Sequence, residues 1–184
     1  MSALAVLAAL ALSADPEAGR AFAVAPGSEV SYRAVHKLHA VVGLARAVEG
    51  RVRILPGGGV QAMVRARVDA FDSGNGNRDA HMREVTEAAR YPFVTLKLAG
   101  RMPEPTSGPG AMDVALAGEL TFHGRTRPVE VTAKVRFDTA DRASVEGAFS
   151  LSLDAFEVER PSLLFVRIDD RLDLTARLVL EAER

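Results

Sequence analysis

No cysteine occurs among the 184 residues. That excludes disulfides, thiol nucleophiles, Cys-ligated zinc and iron–sulfur clusters, and also an N-terminal lipid-modified cysteine. The fold must be stabilised by its core. Charge of one sign is also missing: 23 Lys and Arg stand against 24 Asp and Glu, for a net charge of -1. Such a balance draws the chain as a whole neither to polynucleotide phosphate nor to an anionic membrane surface, so no nucleic-acid partner is expected. No Ser/Gly linker, internal repeat or charge block divides the sequence, and 48% hydrophobic residues suffice for the core of a single domain.

The most apolar stretch, residues 1–14, consists almost wholly of Ala, Leu and Val and carries no charged side chain. It is too short to cross a bilayer, which takes ~20 residues, so no transmembrane anchor is expected. Leu12-Ser13-Ala14 ahead of Asp15-Pro16 places small residues where a signal peptidase cuts. Residues 1–14 are therefore read as a signal peptide, and the mature protein as periplasmic or secreted. The Lys or Arg that usually precedes such a stretch is missing, and a buried N-terminal helix is the competing reading.

Beyond the leader the dominant period is two. Met112, Val114, Leu116, Gly118, Leu120 and Phe122 alternate with Asp113, Ala115, Ala117, Glu119 and Thr121. The same alternation recurs over 129–137, 145–153 and 172–180. Earlier, it is legible around Val30, Tyr32 and Ala34, over 48–54 and 62–70, and at Val94, Leu96 and Leu98. This predicts eight half-buried antiparallel strands, with a short ninth at 21–25. Pro26-Gly27, Pro56-Gly57-Gly58-Gly59, the segment 103–110, His123-Gly124 and the stretch around Asp141 supply the turns.

One helix is predicted, over 79–90. Asp79 is its expected N-cap, Met82, Val85 and Ala89 form a narrow apolar stripe, and Tyr91-Pro92 ends it. A stripe that narrow suits a helix lying over a barrel mouth. Eight alternating antiparallel strands escape the exposed-edge problem by closing, so the fold class is all-β, an eight-stranded antiparallel barrel with one short helix. The inward set includes many small residues: Ala34, Gly50, Ala62, Ala66, Ala70, Gly118, Ala133, Gly147 and Ala176. A barrel of this size either fills itself or holds one ligand, and small lining residues favour a hollow one. A filled β-sandwich is the alternative.

Chemistry-bearing clusters are few. His36 and His39 have a spacing that would pair ligands on a helix, yet they fall at a strand end running into a loop at 40–43, with no Glu general base. Arg78 and His81 are candidate contacts for a phosphate or hydroxyl headgroup near a helix N-terminus. The competing reading has Asp79 capping the helix while Arg78 and His81 tie the loop to a strand. His123 is read as a turn residue. Asp169 and Asp170 sit where neighbouring side chains diverge, and Gly57-Gly58-Gly59 lacks the Lys and helix of a phosphate loop. With no nucleophile paired to a positioned base, no enzyme is expected, nor any metal or cofactor.

Three segments carry a family resemblance: FDSGNGNRDAHM at 71–82 continuing to YPFVTLK at 91–97, GELTFHGRTRPV at 118–129, and FSLSLDAFEV at 149–158 with Asp170 leading into the last strand. In this order they resemble the YceI-like family, over residues 21–184. The resemblance implies an extended, lipocalin-like eight-stranded barrel that holds a polyisoprenoid or other long-chain lipid in an apolar lumen, in many cases after export. The opening Ala25-Pro26-Gly27-Ser28 and the stretch RPSLLF at 160–165 depart from the usual pattern. Expected lumen residues are Tyr32, Val64, Leu96, Leu116, Gly118, Leu120, Phe122, Val131, Ala133, Gly147, Phe149 and Leu151. The expected partner is a long-chain lipid, bound as ligand and not as cofactor, with a homodimer left open as an assembly state. A non-enzymatic interaction or stress-response protein with a filled barrel core is the alternative.

Overall fold

The computed structural model describes residues 19–36, 39–103, 110–160, 162–163 and 166–183. The signal-peptide reading of residues 1–14 lies outside the described residues. The described residues open with two strands laid end to end, β1 (Arg20–Val24) and β2 (Glu29–His36), and return as β3 (His39–Ala45) and β4 (Val48–Ile54). There follow β5 (Gly59–Arg67), the helix α1 (Gly76–Val85), β6 (Phe93–Arg101), β7 (Met112–Phe122), β8 (Arg125–Thr139) and β9 (Arg142–Ser152). A two-stranded flap of β10 (Ser162–Leu163) and β11 (Val166–Arg167) precedes the last strand, β12 (Arg171–Ala182).

All pairings are antiparallel, and the circuit β1-β4-β5-β6-β7-β8-β9-β12 closes when β12 pairs back with β1 at Phe22↔Ala182 and Val24↔Leu180. The same β12 pairs with β2 farther along, from Leu172↔Ala34 to Arg177↔Glu29. β1 and β2 are thus two halves of one broken stave, and β3 and β4 are two halves of the next, which gives a closed eight-stave barrel. Closure removes the unpaired edges that an open sheet would present.

The break between β1 and β2 falls at Ala25-Pro26-Gly27-Ser28, where proline has no N–H to give a ladder. Ser28 repairs the gap. Its buried hydroxyl donates to the Ala25 carbonyl at 2.7 Å and accepts from the Val179 N–H at 2.9 Å. Near the other end β3 and β5 part company, and the segment carrying α1 fills the space between them. It is pinned by a bridge between Leu44 and Asp72 (2.9 and 3.0 Å) and by the Val68 N–H to the Pro92 carbonyl at 2.9 Å.

Three boundaries differ from the sequence expectation. First, residues 39–45 form a strand and not a loop. Its outward Val42 and Leu44 are as apolar as its inward Val41, which hides the two-residue period. Second, β5 ends at Arg67, and the expected extension to Ala70 is a tight turn. Third, α1 starts three residues before the predicted 79 and ends five before the predicted 90. Its N-cap is Asn75, whose side chain accepts from the Arg78 N–H at 3.1 Å, and Asp79 lies inside the first turns. At its C-terminus Glu87 adopts φ +44, with the Glu87 N–H bonded to Glu84 and the Ala88 N–H to Arg83. This is a Schellman cap in which glutamate occupies the usual glycine position.

Inward parity follows the alternation read from the sequence. The buried side chains form four separate clusters among the described residues and not one continuous core. Inward Val64, Leu96, Val129 and Phe149 are only partly buried. Close-packed interiors leave few voids, so a divided core with half-exposed inward faces marks a hollow interior. The outer wall carries exposed ion pairs such as Arg65–Glu49 at 2.7 Å, each worth little in stability.

Candidate functional site

Two cavities lie along the interior formed by the described residues. The first, about 160 Å³, lies under α1. Its floor and walls are Tyr32, Phe71, Val94, Phe122, Leu151 and Leu174, and the helix contributes Met82 and Val85. Arg78, His81 and Glu159 also border it while remaining exposed, so they form its rim. The second cavity, about 100 Å³, lies farther along the barrel. It is bordered by Phe22, Val64, Leu96, Leu116, Val131, Ala133 and Gly147 among others, and no described residue lining it has a polar side chain.

Tyr32 is positioned by its cross-strand partner. Tyr32 pairs with Gly43, and a Cβ at 43 would fall 2.2 Å from the tyrosine ring. Only glycine lets the ring lie flat on β3, where its far side meets Phe71 at 5.5 Å between centroids. Burial, reinforced by the Asp79 charge, raises the pKa of this phenol against the opposing pull of Arg78 and a hydrogen bond with Ser73. It stays neutral and able to donate.

A polar knot fixes the loop that leads into α1. The buried Asp79 carboxylate accepts from the Ser73 hydroxyl and from the Ser73 N–H at 3.2 Å. Arg78 donates from Nε to the Ser73 hydroxyl at 2.8 Å and from Nη2 to the Ser73 carbonyl at 2.6 Å. Burial pushes the Asp79 pKa up, but the Ser73 hydrogen bonds together with Arg78 and Arg83 outweigh it and hold the carboxyl below its ordinary value. Asp79 is therefore a loop anchor and not the N-cap. His81 stands at the rim with Nδ1 3.4 Å from Glu84.

A second knot ties the end of the helical segment to the barrel. His123 and Gly124 have φ of +49 and +70, the two positive values of a type I′ hairpin turn between β7 and β8. The His123 ring packs edge-on to Tyr91 at 5.4 Å, places Nδ1 2.9 Å from the Phe156 carbonyl, and has Nε2 3.4 Å from a Glu87 carboxylate oxygen. Across the mouth, Arg160 clamps the loop before β12, donating to both Asp154 oxygens (2.8 and 2.7 Å) and to the Ile168 carbonyl (3.0 Å).

Of the expected lumen residues, Tyr32, Phe122 and Leu151 border the cavity under the helix, whereas Val64, Leu96, Leu116, Val131, Ala133 and Gly147 border the second. Leu120 and Phe149 border neither and lie between them. Gly118 also borders neither cavity. A Cβ there would sit 1.9 Å from the Lys97 carbonyl oxygen, so the missing side chain lets two strands approach closely. Residues outside the expected set include Phe71, Met82, Val85 and Val41. Met82 and Val85 were visible as the helix stripe, whereas Val41 fell in the strand read as loop. His36 and His39 pair across the β2–β3 turn. Among the described residues, no three His, Asp or Glu side chains converge as a metal site, and no helix is long and apolar enough to cross a membrane.

A closed antiparallel barrel with an apolar, partly empty interior and a charged rim at one mouth defines a lipocalin-like fold. A profile of the YceI-like domain matches residues 22–180, and the chain belongs to the YceI-like family. Among solved structures, a polyisoprenoid-binding domain from Saccharophagus degradans is similar, with a TM-score of 0.72 and 18% identity, over 89% of this chain and 98% of that one. Burkholderia cenocepacia BcnA gives a TM-score of 0.66 and 21% identity, covering 85% and 98%. The YceI protein of Campylobacter jejuni gives 0.60 and 14%, covering 80% and 88%. At these identities the likeness is one of fold. No curated protein matches the sequence.

Proposed function

We propose that the protein binds a polyisoprenoid or other long-chain lipid inside the barrel and carries or sequesters it without chemical change. The observation that carries this reading is the second cavity, whose described lining is entirely apolar. An apolar void forfeits dispersion contacts and suits an apolar guest better than water. Burying ~500 Å² of lipid tail at ~25 cal/mol per Å² supplies roughly 12 kcal/mol. Immobilisation and ordering take back much of this, leaving micromolar or tighter affinity within reach.

In this reading the tail lies in the lumen, and a polar headgroup stays at the rim beside Arg78 and His81. The bound lipid is the ligand, and no further cofactor is required. The apolar stretch at 1–14, read as a leader, supports release into the periplasm or medium, and N-terminal sequencing of exported protein starting near Asp15 tests it. Native mass spectrometry of protein purified without detergent tests the binding. One added lipid mass per chain, or uptake of one added prenyl lipid, is the expected result. A spectrum of bare protein that stays bare when prenyl lipid is supplied refutes lipid binding.

A further inference from the structure

Among the described residues the two cavities share no lining residue, although they lie in one barrel. On β9, where alternate residues face inward, Leu151 borders the cavity under the helix and Gly147 borders the second. The inward residue between them, Phe149, borders neither, and packs against the buried clusters on both sides. On β7 Leu120 and the side-chain-free Gly118, and on β8 Val129, likewise border neither cavity, and Val129 also packs against the clusters on both sides. These residues on three adjacent staves mark a waist between the two cavities, and Phe149 is the largest side chain among them.

Size makes this layer matter. An apolar cavity of about 150 Å³ takes a guest the size of benzene. At about 160 and 100 Å³, neither chamber alone houses a long tail, whereas the two joined form one channel. Among the waist residues Leu120 is 2% exposed and locked in place, and Val129 is β-branched and stiff. Phe149 is only partly buried. Beside it lies bare wall: Gly147 pairs with Ala176, and a Cβ at 147 would meet only the Val131 Cγ1, at 3.3 Å.

We propose that Phe149 is the length-determining residue of the lumen. With its ring across the waist, only a short tail fits beneath the helix. A long tail binds when the ring swings aside, flat over Gly147 and Ala176. This rests on the lipid-binding reading above. Long-tail affinity is reduced by the fraction of molecules with the waist open, and short-tail affinity is not. If one molecule in ten is open, the difference is about tenfold.

The test measures binding of two probes, the short prenyl alcohol geraniol and the longer geranylgeraniol, by calorimetry on the whole chain. Phe149→Ala should tighten geranylgeraniol by about tenfold and change geraniol less than about threefold, and Phe149→Trp should weaken geranylgeraniol selectively. If Phe149→Ala does not fold, Phe149→Leu should show the same selective gain at smaller size. An unchanged ratio of the two affinities in folded variants, with both probes bound by the native protein, overturns the waist proposal and leaves lipid binding intact. Binding of neither probe by the native protein overturns both.

Discussion

Replacing Ala133 with leucine separates a hollow barrel from a filled one by the sign of a melting shift. Ala133 is 4% exposed, pairs with Val114 on β7 and Gly147 on β9, and borders the second cavity of about 100 Å³. Leucine adds three carbons there. In a filled core such an insertion costs typically ~1–3 kcal/mol. Into empty space the same carbons gain up to ~0.8 kcal/mol each, or roughly 2.4 kcal/mol together, because they are newly buried against apolar neighbours. A shift of 1 kcal/mol moves the melting point of a domain this size by about 2–4 °C. The ligand-free variant should therefore melt between the native temperature and about 9 °C above it, while a filled core would melt about 2–12 °C lower. The variant should also lose uptake of a long prenyl lipid in native mass spectra, because the added side chain occupies the volume a tail needs. Calorimetric melting together with the native spectrum decides the matter. A melting point lowered by several degrees alongside unchanged lipid uptake refutes the reasoning.

Asp79→Asn should lower stability by about 1–3 kcal/mol, since the amide cannot accept both Ser73 donors without turning its own N–H₂ toward one of them. The folded carboxyl is held below its ordinary value, so its contribution is present above about pH 4 and is lost as pH falls through the folded pKa. The melting gap between native protein and variant should accordingly close in acid, and a gap that widens below about pH 4 contradicts the assignment. The glycines at 118 and 147 should part company. A Cβ at 118 strikes a carbonyl oxygen at 1.9 Å, whereas one at 147 approaches a methyl group at 3.3 Å. Gly118→Ala should cost roughly 1–3 kcal/mol or more and Gly147→Ala little, and equal melting points for the two variants would count against this geometry.

The staves β7, β8, β9 and β12 are plain in the sequence because each runs for at least 11 residues with one face apolar and the other charged. The first two staves are harder to read because each is broken. One break is bridged by a serine hydroxyl that stands in for backbone partners, which no periodicity reports. β3 is hidden because Val42, 54% exposed, sits on its outer face where a polar residue would have marked the alternation. The helix bounds were missed for local reasons. Two side chains four residues apart, Asn75 and Asp79, both accept backbone N–H groups, and the left-handed cap residue is Glu87 where glycine is the usual signal. Alternation assigned the apolar lining correctly to the inward face. It carried no information on depth, so the place of Phe149 between the two cavities emerges only from which inward residues border each.

Small inward residues in this barrel serve two opposite ends, and their chemistry alone does not distinguish them. At Gly50, Gly100 and Gly118 the missing Cβ would lie 2.5, 2.4 and 1.9 Å from a carbonyl oxygen of the next strand. There the absent side chain lets the backbones crowd together, as a tightly coiled wall requires. At Ala133, Gly147 and Ala176 the neighbouring space is the cavity itself. Only the second group bears on what the barrel holds, because only there does smallness leave volume unfilled. The case for a hollow lumen therefore does not grow with the number of inward glycines and alanines. It rests on the few that border a cavity, and of these Ala133, Gly147 and Ala176 lie on the adjacent staves β8, β9 and β12, the wall that Phe149 would lie against when the waist opens.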